Sequence, residues 1–499
     1  MHKLHMTVRS THFVVRPTTH KHKAAIREFN KHLVTSRTTY IPYLKKKVVS
    51  NVRHYYYNID NKVYHYSIHL LSTFIKRIFS KGITKDNIVV DYDTTYVSRE
   101  IECDIQPTYS DRDHQYAYID KAINTNPMVL IDLKTGKGKT YISMRVVTEL
   151  KQSTGIIVLS RYIEKWISDV QELTTVDDKS IYVVKGRGSL IKLLQGDKGY
   201  DFVIFSLSTL YSYIKAYDKD PGAFEIAPEE IFKCLGLGMM ICDEVHQSFH
   251  AVYMTTIRLN PMKVISLSAT LDNLDQSVAS MYHTLYPKDA RCGDLVKFDA
   301  YPVIIASYYM VDDPNMVKCV GPMGYSHVIF EQYMLRRSVF RNMYLDMIFN
   351  YVKKGYIDRR ETGDKLLILV QTVKLATLLT NYLRHKLKDL VINRYVEEDP
   401  YDNIINSDIS VSTNLSAGTA LDIPNLITVI QTVSIRSLQA NVQSLGRLRE
   451  IKGREVRYYY VYGSNIPQQY KLHVARKGVL SGLAKEYRFE EYQPRLKVR

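Results

Sequence analysis

The sequence predicts an α/β protein built of two parallel-sheet domains in tandem behind a basic N-terminal domain. Three observations predict it. Short β-rich apolar runs alternate with helical patterns between about 128 and 270, the same rhythm returns beyond about 345, and positive charge is concentrated at the start of the chain. With 499 residues, 45% apolar and 24% charged, the chain is globular in composition and too long for one core. The boundaries read from it are 1–100 for the basic domain, 101–290 and 346–470 for the two α/β domains, 291–345 for a connecting segment and 471–499 for a tail.

The N-terminal charge is strongly asymmetric. Residues 1–50 hold 11 Lys/Arg against one acid, Glu28, so they carry +10 of the net +17. Over residues 1–100 the balance is 18 to six. Such a surface favours a polyanion through counterion release. A solvated face or a packing tail has the same composition. The 40 tyrosines include the clusters Tyr55-Tyr56-Tyr57 and Tyr458-Tyr459-Tyr460, which could stack on bases. Their apolar, strand-favouring neighbours point instead to sheet and core use.

Several classes are excluded. Cys103, Cys234, Cys242, Cys292 and Cys319 lie far apart with no C-x-x-C pair, against a disulfide framework or a local zinc motif and in keeping with a reducing interior. No run reaches the ~18 apolar residues of a membrane span, and no fixed-period repeat suggests a solenoid. The expectation is a soluble protein without a membrane partner.

In the first α/β domain, strands are expected at Met128–Leu133, Gly155–Leu159, Asp201–Phe205, Met239–Cys242 and Lys263–Leu267. In the second they are expected at Leu366–Val370, Ile409–Ser412, Leu426–Thr432 and Val456–Tyr462, with a helix over Lys374–Leu387. The first strand runs into Lys134-Thr135-Gly136-Lys137-Gly138-Lys139-Thr140 and a helix start. Glycines there let backbone N–H groups face a phosphate, Lys139 can meet its outer oxygens, and the Thr140 hydroxyl can bind Mg2+. Leu133 stands where the stricter phosphate-loop pattern has glycine.

About a hundred residues on, Met239–Cys242 ends in Asp243-Glu244-Val245-His246. Phosphoryl transfer needs one carboxylate for the metal and another for the attacking water, and Asp243 and Glu244 fit those roles. Ser268-Ala269-Thr270 follows the next strand. Upstream, Gln115 can donate to and accept from an adenine edge. In the second domain Ser416-Ala417-Gly418-Thr419-Ala420-Leu421-Asp422 follows a strand, and Gln443-Ser444-Leu445-Gly446-Arg447-Leu448-Arg449 ends a helical segment. A guanidinium from there could neutralise charge on a transferring phosphoryl group.

Taken in order, Gln115, G-K-G-K-T, D-E-V-H, S-A-T, G-T-A-L-D and Q-S-L-G-R over about 110–455 resemble the motif ladder of superfamily-two DExH helicases. The nearer likeness is to its DNA translocases, in which a strand and then a tryptophan follow the first motif, as Ile156–Leu159 and Trp166 do here. Chain length, the basic His-rich start and abundant tyrosine resemble the poxvirus transcript-release helicases within that group. The resemblance implies two RecA-like domains sharing ATP with Mg2+. It implies Lys139, Asp243, Glu244, Gln443, Arg447 and Arg449 as catalytic, Thr140 and Asp243 at the metal, and Gln115, Thr135, Gly136, Lys137, Gly138, Lys139, Thr140, Gly418 and Asp422 around the nucleotide. The family's last motif puts arginines four and seven places after its glutamine. Here those places are Arg447 and Glu450, with Arg449 one place early, so Arg447 is the favoured finger.

The implied partners are DNA, single-stranded or duplex, with RNA as an alternative, and a viral RNA polymerase elongation complex or other viral transcription factor. The implied locations are the cytoplasmic viral factory and the virion. DNA phosphates are expected on Ser160-Arg161-Tyr162, Ser206–Thr209, Gln371-Thr372 and Thr413-Asn414. A duplex translocase without strand separation, and a binding protein with an ATP switch, are the rival readings.

Overall fold

The computed structural model describes residues 3–41, 46–59, 61–133, 136–196, 198–268, 276–293, 295–322, 324–396, 399–400, 402–414, 416, 423–435 and 437–499, without the side chains of 37–41, 46–47, 276–277 and 438–439. It divides into two units, Met1–Val296 and Lys297–Arg499. Among the described residues no helix is long and apolar enough to cross a membrane.

The first unit opens with β1 (Leu4–Arg9), β2 (His12–Arg16), α1 (His20–Asn30), the paired strands β3 (Val34–Ile41) and β4 (Lys46–Arg53), β5 (Tyr56–Asn58), β6 (Val63–Ser67), α2 (Leu71–Ser80) and β7 (Ile88–Asp93). Five of these strands form a mixed sheet in the order β5-β6-β2-β1-β7. Side chains alternate across a strand. Leu4, Met6, Val8, Phe13, Val15 and Tyr66 therefore share one face, buried under Ile26 and Phe29 of α1 and Phe74 and Ile78 of α2. The N-terminal segment also bonds to the α/β part of the unit. Ser10 N–H donates to Asn260 Oδ1 (3.1 Å), Thr11 Oγ1 to the Leu259 carbonyl (2.8 Å) and the Tyr253 hydroxyl to the His54 carbonyl (2.7 Å).

The α/β part of this unit runs α3 (Asp113–Asn124), β8 (Met128–Asp132), α4 (Lys139–Leu150), β9 (Thr154–Val158), α5 (Ile163–Leu173), β10 (Ile181–Val184), α6 (Arg187–Gln195), β11 (Phe202–Ser206), α7 (Leu207–Lys219), α8 (Ile231–Leu235), β12 (Met239–Cys242), α9 (Phe249–Thr256), β13 (Lys263–Ser268) and α10 (Gln276–Leu285). All six strands are parallel, in the order β10-β11-β9-β12-β13-β8. Their apolar runs are continuous because helices cover both faces. The five strands expected from sequence are present with ends shifted by at most one residue; β10 is additional, a four-residue edge strand too short to stand out.

The second unit comprises β14 (Val303–Tyr309), the short pair β15 (Val320–Gly321) and β16 (Gly324–Tyr325), α11 (His327–Leu335), α12 (Ser338–Val352), β17 (Lys365–Val370), α13 (Val373–Lys386), β18 (Ile392–Tyr395), α14 (Asp402–Ile405), β19 (Ile409–Thr413), β20 (Leu426–Gln431), α15 (Leu438–Leu445), β21 (Arg457–Gly463), α16 (Pro467–Leu480) and β22 (Glu486–Glu491). Seven strands make a second parallel sheet, β18-β19-β17-β20-β21-β14-β22. Tyr458, Tyr460 and Tyr462 face one core with Leu367 and Leu369, whereas Tyr459 and Val461 face the other with Ile368 and Val370. That tyrosine cluster is core, as its neighbours suggested.

Two strands of this sheet come from segments that the sequence places outside the α/β domains. Strand β14 is separated from β17 by two helices, which breaks the strand–helix rhythm. Strand β22, with sequence EYRFEE, sits on the edge, where charged side chains suppress the apolar signal while protecting the open backbone.

Candidate active site

Every strand of the first parallel sheet ends at the same edge, and that edge gathers the chemistry. The sheet order places β13 between β8, which feeds the glycine loop, and β12, which feeds the carboxylates. Gly136 and Gly138 have φ of 79° and 86°, left-handed values that cost other L-residues about 1–2 kcal/mol. Gly138 is the N-cap of α4. A Cβ added to it would lie 2.2 Å from Gln115 Nε2, so any other residue there would have to displace that side chain as well as adopt the left-handed φ.

Lys139 and Thr140 open α4, and the Lys139 ammonium donates to the Leu133 carbonyl at 3.0 Å. The Lys137 carbonyl lies 3.1 Å from His114 Nε2. Gln115 is buried at 2% exposure; its side-chain oxygen accepts from Arg112 N–H at 2.9 Å while its amide nitrogen lies over Gly138. Gln115, the group expected to face an adenine edge, thus lies against the glycine loop with its oxygen engaged at a helix start.

On β12 the chain turns sharply after Cys242. Asp243 Oδ2 accepts from the indole N–H of Trp166 at 2.8 Å, and its Oδ1 accepts from Glu244 N–H at 2.8 Å. The carboxylate is held at both oxygens and stays partly exposed. Glu244 has φ 48°, an uncommon conformation for a residue with a side chain and one that concentrates at functional sites. Its Oε2 lies 3.3 Å from His246 Nδ1, which is 2.9 Å from Ser268 Oγ. Burial, reinforced by the Lys139 charge, pushes the His246 imidazole down to about 4. His246 is therefore neutral at pH 7 and links Ser268, at the end of β13, to the carboxylate turn. The pairing of β13 with both β12 and β8 brings the glycine loop to the same edge.

The segments expected to meet nucleic acid also come together in pairs. Ser160 Oγ is 2.8 Å from Ser206 Oγ, joining the ends of neighbouring β9 and β11. Arg161 Nη2 donates to Gln247 Oε1 at 2.5 Å, and Tyr162 reaches the same side chain. In the second unit, Asn414 N–H donates to the Val370 carbonyl, setting Thr413-Asn414 beside Gln371-Thr372. Glu331, wholly buried, accepts from Gln371 N–H (2.7 Å), Thr372 N–H (2.8 Å) and Thr372 Oγ1 (2.6 Å). Burial raises its carboxyl to about 7 even though those bonds pull the other way.

Gln443, Arg447 and Arg449 lie at and just beyond the C-terminal end of α15. Arg447 is buried at 5% exposure, whereas Arg449 is partly exposed and donates to the Gly446 carbonyl. Thr135, Gly418 and Asp422 lie outside the described residues, as do Ala269-Thr270 and the rest of 417–422. Sequence reading missed two partners, the bond from Trp166 to Asp243 and the clasp of Glu331 on Gln371-Thr372. The residues are 77 and about 40 positions apart, so no local spacing signals either.

Residues 108–273 match the family described as "Type III restriction enzyme, res subunit". No curated protein sequence matches the chain. Among solved structures, the S. cerevisiae Dbp5 structure with RNA and ADP BeF3 is similar at TM-score 0.50 and 12% identity, over 76% of this chain and 89% of that one. The Hef helicase domain of Pyrococcus furiosus is similar at TM-score 0.41 and 14% identity, over 73% and 98%. The fold is that of two tandem RecA-like α/β domains with parallel sheets.

Proposed function

We propose that this chain is a nucleic-acid-dependent ATPase of the superfamily-two helicase type that moves along DNA, hydrolysing ATP to ADP and phosphate. One observation carries the reading: Lys139 at the start of α4 and Asp243-Glu244 at the end of β12 occupy one edge of a single parallel sheet. The residues fit a nucleotide with Mg2+. The left-handed Gly136 and Gly138 allow the turn that aims backbone N–H groups at a phosphate, Lys139 and Thr140 offer an ammonium and a hydroxyl, and the Asp243 carboxylate is oriented from both sides. Mg2+ supplies neutralisation of phosphate charge when bound.

The chain's own groups do the rest. Backbone N–H groups of the glycine loop and Lys139 bind the phosphates, Gln115 walls the loop, and Glu244 orients the attacking water and takes its proton. Arg447, with Arg449 close behind, is the arginine we assign to the charge that develops on the transferring phosphoryl group. Ser160–Tyr162, Ser206–Thr209, Gln371-Thr372 and Thr413-Asn414 grip nucleic-acid phosphates. Resemblance to the poxvirus transcript-release helicases narrows the role to release of nascent RNA from a viral polymerase elongation complex, in the cytoplasmic viral factory and the virion.

The decisive experiment compares Lys139→Ala with wild type for phosphate release and DNA binding, using single-stranded DNA, duplex DNA and RNA as separate activators. Abolished turnover with retained DNA binding is expected, with DNA the stronger activator. Retained turnover refutes the phosphate assignment, and activation by RNA alone refutes the DNA reading.

A further inference from the structure

The face of the N-terminal sheet opposite α1 and α2 carries two histidines. Strands β2 and β6 are antiparallel, with Phe13 opposite Tyr66, Val14 opposite His65 and His12 opposite Ser67. Because Phe13 and Tyr66 point to the helices, alternation sends His12 and His65 to the other face as diagonal neighbours. Their rings stack with centroids 5.7 Å apart, and both are buried, at 0% and 5% exposure. Glu229, in the turn before α8 of the α/β part of the unit, meets them at 8% exposure. One ligand-type atom from each of the three lies within 4.8 Å of the others.

The hydrogen bonds around His12 fix its tautomer. Thr11 Oγ1 donates its single proton to the Leu259 carbonyl at 2.8 Å, so at its 3.0 Å approach to His12 Nδ1 it can only accept. His12 therefore carries its proton on Nδ1 and presents a bare lone pair on Nε2. That Nε2 has no hydrogen-bond partner, and neither does His65 Nδ1, the atom 3.9 Å from Glu229 Oε1. Orphaned buried nitrogens of this kind are costly. A ring whose outer nitrogen donates to a fixed acceptor while its inner nitrogen waits unprotonated is the arrangement found in metal-bound histidine.

Charge points the same way. Arg258, 1% exposed, donates to Glu229 Oε1 (3.0 Å) and to Asp218 Oδ1 (2.7 Å), leaving one excess negative charge among the three. Arg9 at the rim is matched by Asp93 (3.0 Å) and approached by Glu230 (3.9 Å), which also meets Lys233 (3.7 Å).

We propose that His12, His65 and Glu229 form a binding site for one divalent transition ion of the zinc class, which clasps the N-terminal sheet to the first α/β domain. Two imidazoles and one carboxylate suit Zn2+ or Co2+ and are a poor set for Mg2+. A water completes four-fold coordination. The site is built from both sides of an internal boundary, so the ion couples the basic domain to the ATPase body and has no part in phosphoryl chemistry.

The test uses the full chain, stripped with chelator, desalted and titrated with Zn2+ or Co2+ without nucleotide. Wild type is expected to retain one ion per chain, to melt higher with it, and in the Co2+ form to show four-coordinate visible absorption with two exchangeable imidazole N–H resonances shifted by the metal. His12→Asn and His65→Asn are each expected to lose the ion while still turning over ATP. Substoichiometric binding by wild type, or a full equivalent kept by folded His12→Asn/His65→Asn, overturns the proposal. Should those variants fail to fold, the wild-type Co2+ spectrum decides, because absence of shifted imidazole resonances overturns it equally.

Discussion

The indole N–H of Trp166 donates to Oδ2 of Asp243 at 2.8 Å, from a ring with no exposed surface. Asp243 would hold the metal, so this bond fixes which way its free lone pairs point. Trp166→Phe keeps most of the packing and removes one hydrogen bond to a charged group, a loss of about 1.5–3 kcal/mol. The expected result is a fall in ATPase kcat of roughly ten- to a hundred-fold, with a raised Mg2+ requirement and little change in DNA affinity. Unchanged Mg2+ dependence would leave Trp166 a packing residue only.

Glu244 stands beside that carboxylate in a left-handed conformation, 3.3 Å from a neutral His246. Glu244→Gln preserves size and backbone demand but removes the proposed base. A general base contributes about 10²–10⁴-fold. The variant is expected to bind ATP with DNA and hold it unhydrolysed, seen as a stable complex in filter binding with loss of phosphate release. Hydrolysis near the wild-type rate would remove Glu244 from the role of base.

How much of this was legible in the sequence depended on whether the signal was local. The glycine loop, the D-E pair and nine of the parallel strands were readable because continuous apolar runs and turn residues are adjacent in sequence. Strands β14 and β22 were not, since one is cut off from its sheet by α11 and α12 and the other is a charged edge. The pairs Trp166–Asp243, Glu331–Thr372 and His12–Glu229 are made by topology alone, and residue spacing carries no trace of them. Gln115 shows the converse: its place beside the loop followed from sequence, but its burial and its bond to Arg112 did not.

Acid should destabilise the protein through its buried histidines. Burial lowers His54, His246 and His473 to about 4 and His327 to about 3, from 6.5 when unfolded. Between those values and 6.5 the unfolded chain binds more protons, so the stability from neutral histidine is complete above 6.5 and lost as pH falls toward 4. Glu331, raised to about 7 by burial, works oppositely: its contribution is present below 4.5 and lost as pH rises to 7. Four groups outweigh one, and the expected outcome is a Tm that drops between pH 7 and pH 5. A Tm that is flat or rises over that interval contradicts the assignment of neutral histidines.

If the proposed function holds, the exposed cations of the basic domain are expected to contact nucleic acid. Arg27, Lys31 and Arg53 border an open cavity of about 340 Å³ whose floor includes Tyr55, Tyr57 and Tyr64. Tyr57 and Tyr64 have ring centroids 4.5 Å apart, and all three cations are exposed. Cations around aromatic faces suit a phosphate backbone with adjacent bases. Replacing Arg27, Lys31 and Arg53 by Gln together is expected to weaken DNA binding to a similar degree for every sequence tested. Each phosphate left without its cation should flatten the plot of log K against log salt by about 0.9 for duplex or about 0.7 for single strands. Fluorescence anisotropy across a salt series measures both quantities. An unchanged slope in the triple variant would move the nucleic-acid path off this domain and onto the ends of the parallel strands alone.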